Sequence, residues 1–185
     1  MKMLRLFLIT ALLIPLAVSA YAGWNVGAKY AAEFLTLGAD ARSSAMGETG
    51  LAFNTTPAAA YWNPAALTGI SGGGALAMHA NRFGGVVKYD FIAGAQRFND
   101  RETFGITLLR LGIDDIPITI LEDPNSPVGP DNVVEVDEWV VDSEIAFMGT
   151  YSLNWKDNLA LGVNGKILSK KIGDNQALGL GFDIG

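Results

Sequence analysis

Three stretches of the chain carry residue types that could do chemistry. Gly69-Ile70-Ser71-Gly72-Gly73 matches the G-x-S-x-G spacing that holds a nucleophilic serine on a sharp strand-to-helix turn, with an acid and then a histidine following to activate it. Here Ser71 runs into further glycines, and the single histidine, His79, follows with no carboxylate between them. A serine hydrolase is not expected. Residues 121–142, LEDPNSPVGPDNVVEVDEWVVD, hold seven carboxylates and three prolines. Clustered oxygens suit Ca²⁺, but the D-x-[DN]-x-[DN]-G-x₅-E spacing is absent, so a solvated acidic loop is expected instead. Gly179 and Gly181 depart from G-x-G-x-x-G and stand inside an alternating segment, which gives no nucleotide fingerprint.

Composition removes further classes. The chain has no Cys, which excludes disulfides, thiolate metal sites and cysteine nucleophiles. Its net charge is −6 and its longest basic run is Lys170-Lys171, so no cationic surface for nucleic acid is present. The reading is of a protein that is not an enzyme and needs no cofactor and no metal.

The elements that would position any site divide the chain in three. Residues 1–22, MKMLRLFLITALLIPLAVSAYA, have two early basic residues, an apolar run from Leu6 to Val18 and an Ala20-Tyr21-Ala22 ending, the pattern of a cleaved export signal. The apolar run is broken by Pro15 and falls short of the roughly 20 residues that span a bilayer as a helix. Residues 74–185 alternate with period two, which means strands. In 86–98 the odd positions Val87, Tyr89, Phe91, Ala93 and Ala95 form an apolar face against Lys88, Asp90 and Gln96. In 143–155, Ile145, Phe147, Tyr151, Leu153 and Trp155 oppose Glu144, Thr150, Ser152 and Asn154. Segments 159–168 and 177–184 alternate in the same way, and 103–111 and 75–83 more loosely.

A soluble sandwich would alternate as well. Three features favour a transmembrane antiparallel β-barrel. The strands are longer than the roughly five or six residues usual in soluble sheets. Short turns at 99–101 and 156–158 contrast with a long connection at 112–139, as periplasmic turns and external loops do. Aromatics such as Trp155 stand where an apolar face meets a turn. On this reading the apolar faces, including Phe147 and Leu161, meet outer-membrane lipid. His79, Lys88, Asp90, Glu144 and Lys166 are then lumen-facing candidates for ion pairs that position a plug or select a solute. Six strands are counted, against at least eight in single-chain bacterial barrels, which predicts the N-terminal portion of a longer barrel.

Residues 23–73 lack the alternation. Asp40 is a candidate N-cap for a helix from Ala41 to Met46, and Asn63 with Pro64 reads as a capped turn that ends near Gly69. Such turns cannot form a core of their own, and a barrel lumen would supply the walls. Tyr61, Trp62, Asn63, Pro64 and Ala65 are the candidate plug motif.

With Phe34-Leu35 and Gly38, then Ala41-Arg42 with Ala45-Met46-Gly47, then Tyr61-Trp62-Asn63-Pro64-Ala65, the chain resembles the PorV/PorQ-type outer-membrane proteins, relatives of the FadL-type barrels. Residues 110–119, RLGIDDIPIT, and 178–185, LGLGFDIG, are similar to later segments of that family, while Ala66 replaces a usual Gly. The resemblance implies an all-β barrel of about fourteen strands with an N-terminal plug, in the outer membrane of a diderm bacterium. It implies transport across that membrane or a part in type IX secretion and cargo attachment, with secretion-system components or a secreted cargo protein as partners. FadL-like passage of a hydrophobic ligand is the alternative, and a lipid-modifying enzyme a weaker one.

Overall fold

The computed structural model describes residues 32–51, 55–130 and 132–185. The export signal expected at 1–22 lies outside them. Phe34–Gly185 forms one compact unit in which short helical turns and a sheet share a core.

All six expected strands form, β1 (Gly73–Arg82), β2 (Val87–Arg97), β3 (Glu102–Leu121), β4 (Val134–Lys156), β5 (Leu159–Ile172) and β6 (Asn175–Ile184). They make a single antiparallel meander in sequence order, with β1 and β6 at its edges. Among the described residues no helix is long and apolar enough to cross a membrane.

The helical turns lie on one face of this sheet, its inner face. They are a 3₁₀ turn (Glu33–Leu37), α1 (Ala41–Ala45), α2 (Ala59–Trp62) and a second 3₁₀ turn (Pro64–Gly69). Capping chemistry sets two of their starts. Asp40 accepts from the Arg42 and Ser43 amides, and Asn63 Oδ1 from the Ala65 amide at 3.0 Å with Pro64 at the first helical position.

The hairpin registers fix which side chains share a face. Tyr89, Phe91, Ala93 and Ala95 pair with Leu111, Leu109, Thr107 and Gly105, and these with Glu144, Ala146, Met148 and Thr150. All of those side chains are inward. Ile92, Leu108, Phe147, Ile167 and Leu180 form a cross-strand row on the outer face. Phe147 is 46% exposed and Leu180 81% exposed, whereas inward Met148 is 1% exposed.

The expected long external loop at 112–139 is shorter than the alternation suggested. β3 and β4 continue to Leu121 and from Val134, leaving 122–133 as the loop. β2 stops at Val87 opposite Ile113, and β5 stops at Ile172 opposite Asp142. Residues 114–121 and 134–141 therefore run on as a two-stranded ribbon, about 26 Å long at 3.3 Å per residue.

Candidate functional site

The inner face gathers the candidate motif and the groups that hold it. Ala59, Ala60, Leu67 and Ile70 of the turns form a small apolar cluster with Ala95 of β2. Tyr61 packs edge-on against Phe91 of β2, with ring centroids 6.1 Å apart. Small residues dominate the contact because the turns approach the strands at backbone distance. An ideal Cβ on Gly162 of β5 would lie 2.3 Å from both the Ala65 nitrogen and the Pro64 carbonyl carbon.

Polar side chains of the strands reach backbone carbonyls of the turns, which short turns leave unsatisfied. Asn164 of β5 donates to the Ala60 carbonyl at 2.8 Å, Ser152 of β4 donates to the Pro64 carbonyl, and Arg97 of β2 donates to the Thr68 carbonyl at 3.1 Å. Tyr89 of β2 donates to the Gly38 carbonyl. Asn164 is 1% exposed, and its oxygen accepts from Thr150 at 2.6 Å. Its amide also reaches Asp183 at 3.0 Å, and Asp183 pairs with Lys166 at 2.8 Å. A polar row thus runs from β4 through β5 to β6 beneath the turns.

Tyr61 and Trp62 lie in α2, a turn the sequence reading did not separate from the one that follows. The Tyr61 hydroxyl donates to the Leu35 carbonyl and ties the two halves of the helical segment together. Burial pushes the Tyr61 phenol up to about 12, helped by the nearby Glu48 carboxylate. The unfolded chain deprotonates near pH 10, so between pH 10 and 12 only the unfolded state gives up this proton. Stability from this group is complete below pH 10 and falls as pH rises towards 12. In a phenolate absorbance titration, Tyr61→Phe should remove a component near pH 12; loss of a component near pH 10 instead would contradict this burial.

Glu144 and Lys166 lie on the inner face. Glu144 accepts from Lys170, with Asp142 4.0 Å from the same ammonium. His79, Lys88 and Asp90 do not join them, because they occupy the outer face. His79 lies 2.6 Å from Asp90, Arg110 lies 3.4 Å from the same carboxylate, and Lys88 pairs with Asp114. The error has a physical cause. β2 is apolar on its odd face because that face packs on the helical segment, so apolarity there marks protein contact. The charged pairs form a polar rim across β1, β2 and β3 at the ribbon end of the outer face.

The Ser71 motif and His79 do not come together. Ser71 precedes β1, and His79 stands six residues along that strand from Gly73, about 20 Å away by strand rise, where it is paired with Asp90. In the 122–133 loop, Asp123 accepts from the Ser126 hydroxyl at 2.6 Å and from the Asn125 amide at 2.9 Å, and these bonds, the hydroxyl first, hold it below the usual carboxylate range. Among the described residues no three carboxylates or histidines converge as a metal site. A hollow of about 380 Å³ opens beside Tyr61 and Trp62, with Lys166 and Asp183 of the sheet on its wall.

The sequence reading missed Tyr89, Arg97, Ser152, Asn164 and Gly162 as the groups that seat the turns. A signal existed for one of them. Asn164 is an uncharged amide two residues after Gly162 on the inner parity of its strand. Set against protein-family models, curated proteins and solved structures, the chain matches none.

Proposed function

We propose that this chain belongs to an outer-membrane β-barrel protein of the PorV/PorQ type, whose helical segment plugs the lumen side of the wall and whose role is transport or type IX secretion of exported cargo. One observation carries the membrane part of this reading. The face turned away from the helical segment bears an exposed apolar belt five strands wide, from Ile92 through Leu108, Phe147 and Ile167 to Leu180. A patch of that extent on water would be an aggregation liability; against lipid it is the required surface. The polar rim of His79, Asp90, Arg110 and Lys88 then marks the belt's upper edge. In hydrocarbon the backbone edges of β1 and β6 must be paired, so the proposal includes further strands that close the ring.

The order of the motifs around Phe34, Arg42 and Tyr61-Trp62-Asn63-Pro64-Ala65 supports the choice of family. The aromatic side of the hollow, Tyr61 and Trp62, is what supports a second reading, FadL-like passage of a hydrophobic small molecule along the inner face, although Lys166 and Asp183 make its opposite wall charged. The full-length protein is expected in the outer-membrane fraction, with a heat-dependent shift in gel mobility. Recovery in the soluble periplasm alone would overturn the membrane reading.

A further inference from the structure

The ribbon of residues 114–121 and 134–141 has a surface that the membrane reading does not use. Its outward face carries Pro117, Thr119, Leu121, Val134, Val136 and Trp139, with no charge among them, and Trp139 is 63% exposed. An isolated two-stranded ribbon is marginal in water, and an apolar face on one needs a cover. Lipid does not supply it. Pro117 lies seven residues beyond Arg110 of the polar rim, about 23 Å further along β3. This step rests on the membrane reading, which puts the bilayer below the rim.

Charge narrows the occupant. Residues 114–142 contain nine carboxylates and no Lys or Arg, while the whole chain is −6, so the remainder is net positive. Anionic lipid and a second copy of the same ribbon are both repelled by such a surface. Glu135 and Glu138 point to the ribbon face opposite Trp139, beside Ile118 and Ile120. The Gly173 amide still donates to the Val141 carbonyl, but beyond it the outer edge of β4 along 134–140 has no strand beside it and contains no proline, whereas Pro117 blunts the corresponding edge of β3. A strand laid along β4 would place alternate side chains on the two faces.

We infer that this ribbon is a docking surface for an extended protein segment in which basic and apolar residues alternate, the apolar ones covering Trp139 and Val136 and the basic ones facing Glu135 and Glu138. The probe is a ten-residue peptide alternating Lys and Val, added to the detergent-purified full-length protein, with an alternating Glu and Val peptide as control. The Lys peptide should bind and weaken with salt, and the Glu peptide should not bind. Replacing Glu135 and Glu138 together by Lys should weaken binding at least about tenfold. Trp139→Ser should weaken it with the salt dependence unchanged. Equal binding of both peptides, or binding untouched by both variants, would overturn the inference, as would a ribbon that saturates with Ca²⁺ alone or pairs two copies of the chain. Unchanged heat-dependent mobility in each variant shows that the barrel has formed. Peptide binding by a water-soluble product would sink the membrane reading and leave the docking surface standing.

Discussion

Gly162→Ala is expected to unseat the Pro64–Ala65 end of the helical segment while the strands stay paired. The added methyl would meet backbone atoms at 2.3 Å, and backbone in a capped turn cannot rotate away as a side chain can. Either β5 bends or the turn lifts. Lifting it breaks the Ser152 bond to the Pro64 carbonyl and strains the Asn164 bond to the Ala60 carbonyl. Overpacking of this kind costs about 3 kcal/mol. Gly165→Ala, on the outer face of the same strand, meets nothing within 4 Å and should stay within about 0.5 kcal/mol of the parent. Limited proteolysis reports the difference, with new cleavage between residues 56 and 70 in the first variant and none in the second. Equal resistance would mean that the segment is not seated on Gly162.

The contrast between these glycines shows what kind of information the sequence held. Alternation located every strand, because period two is local and survives any tertiary arrangement. The caps at Asp40 and Asn63 were legible for the same reason, each being a contact within three residues. The faces were not. Val87 through Ala95 form as clean an apolar set as Ile145 through Trp155, yet the first packs on helical turns and the second faces outward. Hydrophobicity reports that a face is covered and not what covers it. The tight turn after Arg97 contained the missing datum. It pairs residues of like parity in β2 and β3, which joins Ile92 to the outward Leu108 and leaves Phe91 inward with Leu109.

The ribbon and the anchors were hidden for other reasons. Register breaks between Ile113 and Ile116 and between Ile118 and Thr119, with Pro117 between them, interrupt the alternation and make paired strand read as loop. Ser152 and Asn164 reach partners 88 and 104 residues away, a separation that no local pattern encodes.

Phe147→Arg and Thr150→Lys, one strand face apart, should fail in different ways. Phe147 is in the middle of the outer belt, flanked across the strands by Leu108 and Ile167. A cation there must enter hydrocarbon on the membrane reading, at roughly 2 to 4 kcal/mol near the midplane, so insertion and the heat-dependent gel shift should both decline. Leu161→Arg, on the same face of β5 but nearer the turn, should cost less. The alternation alone places Thr150 on a wet face that tolerates charge. The structure instead buries it at 4% exposure and gives its hydroxyl to Asn164, which in turn holds the Ala60 carbonyl. Lysine at that position should leave insertion intact but open the helical segment to protease, because the cost falls on the polar row and not on the outer belt. If Thr150→Lys blocked insertion as Phe147→Arg does, or if Phe147→Arg inserted normally, the assignment of the two faces would be reversed and the belt would need a covering other than lipid.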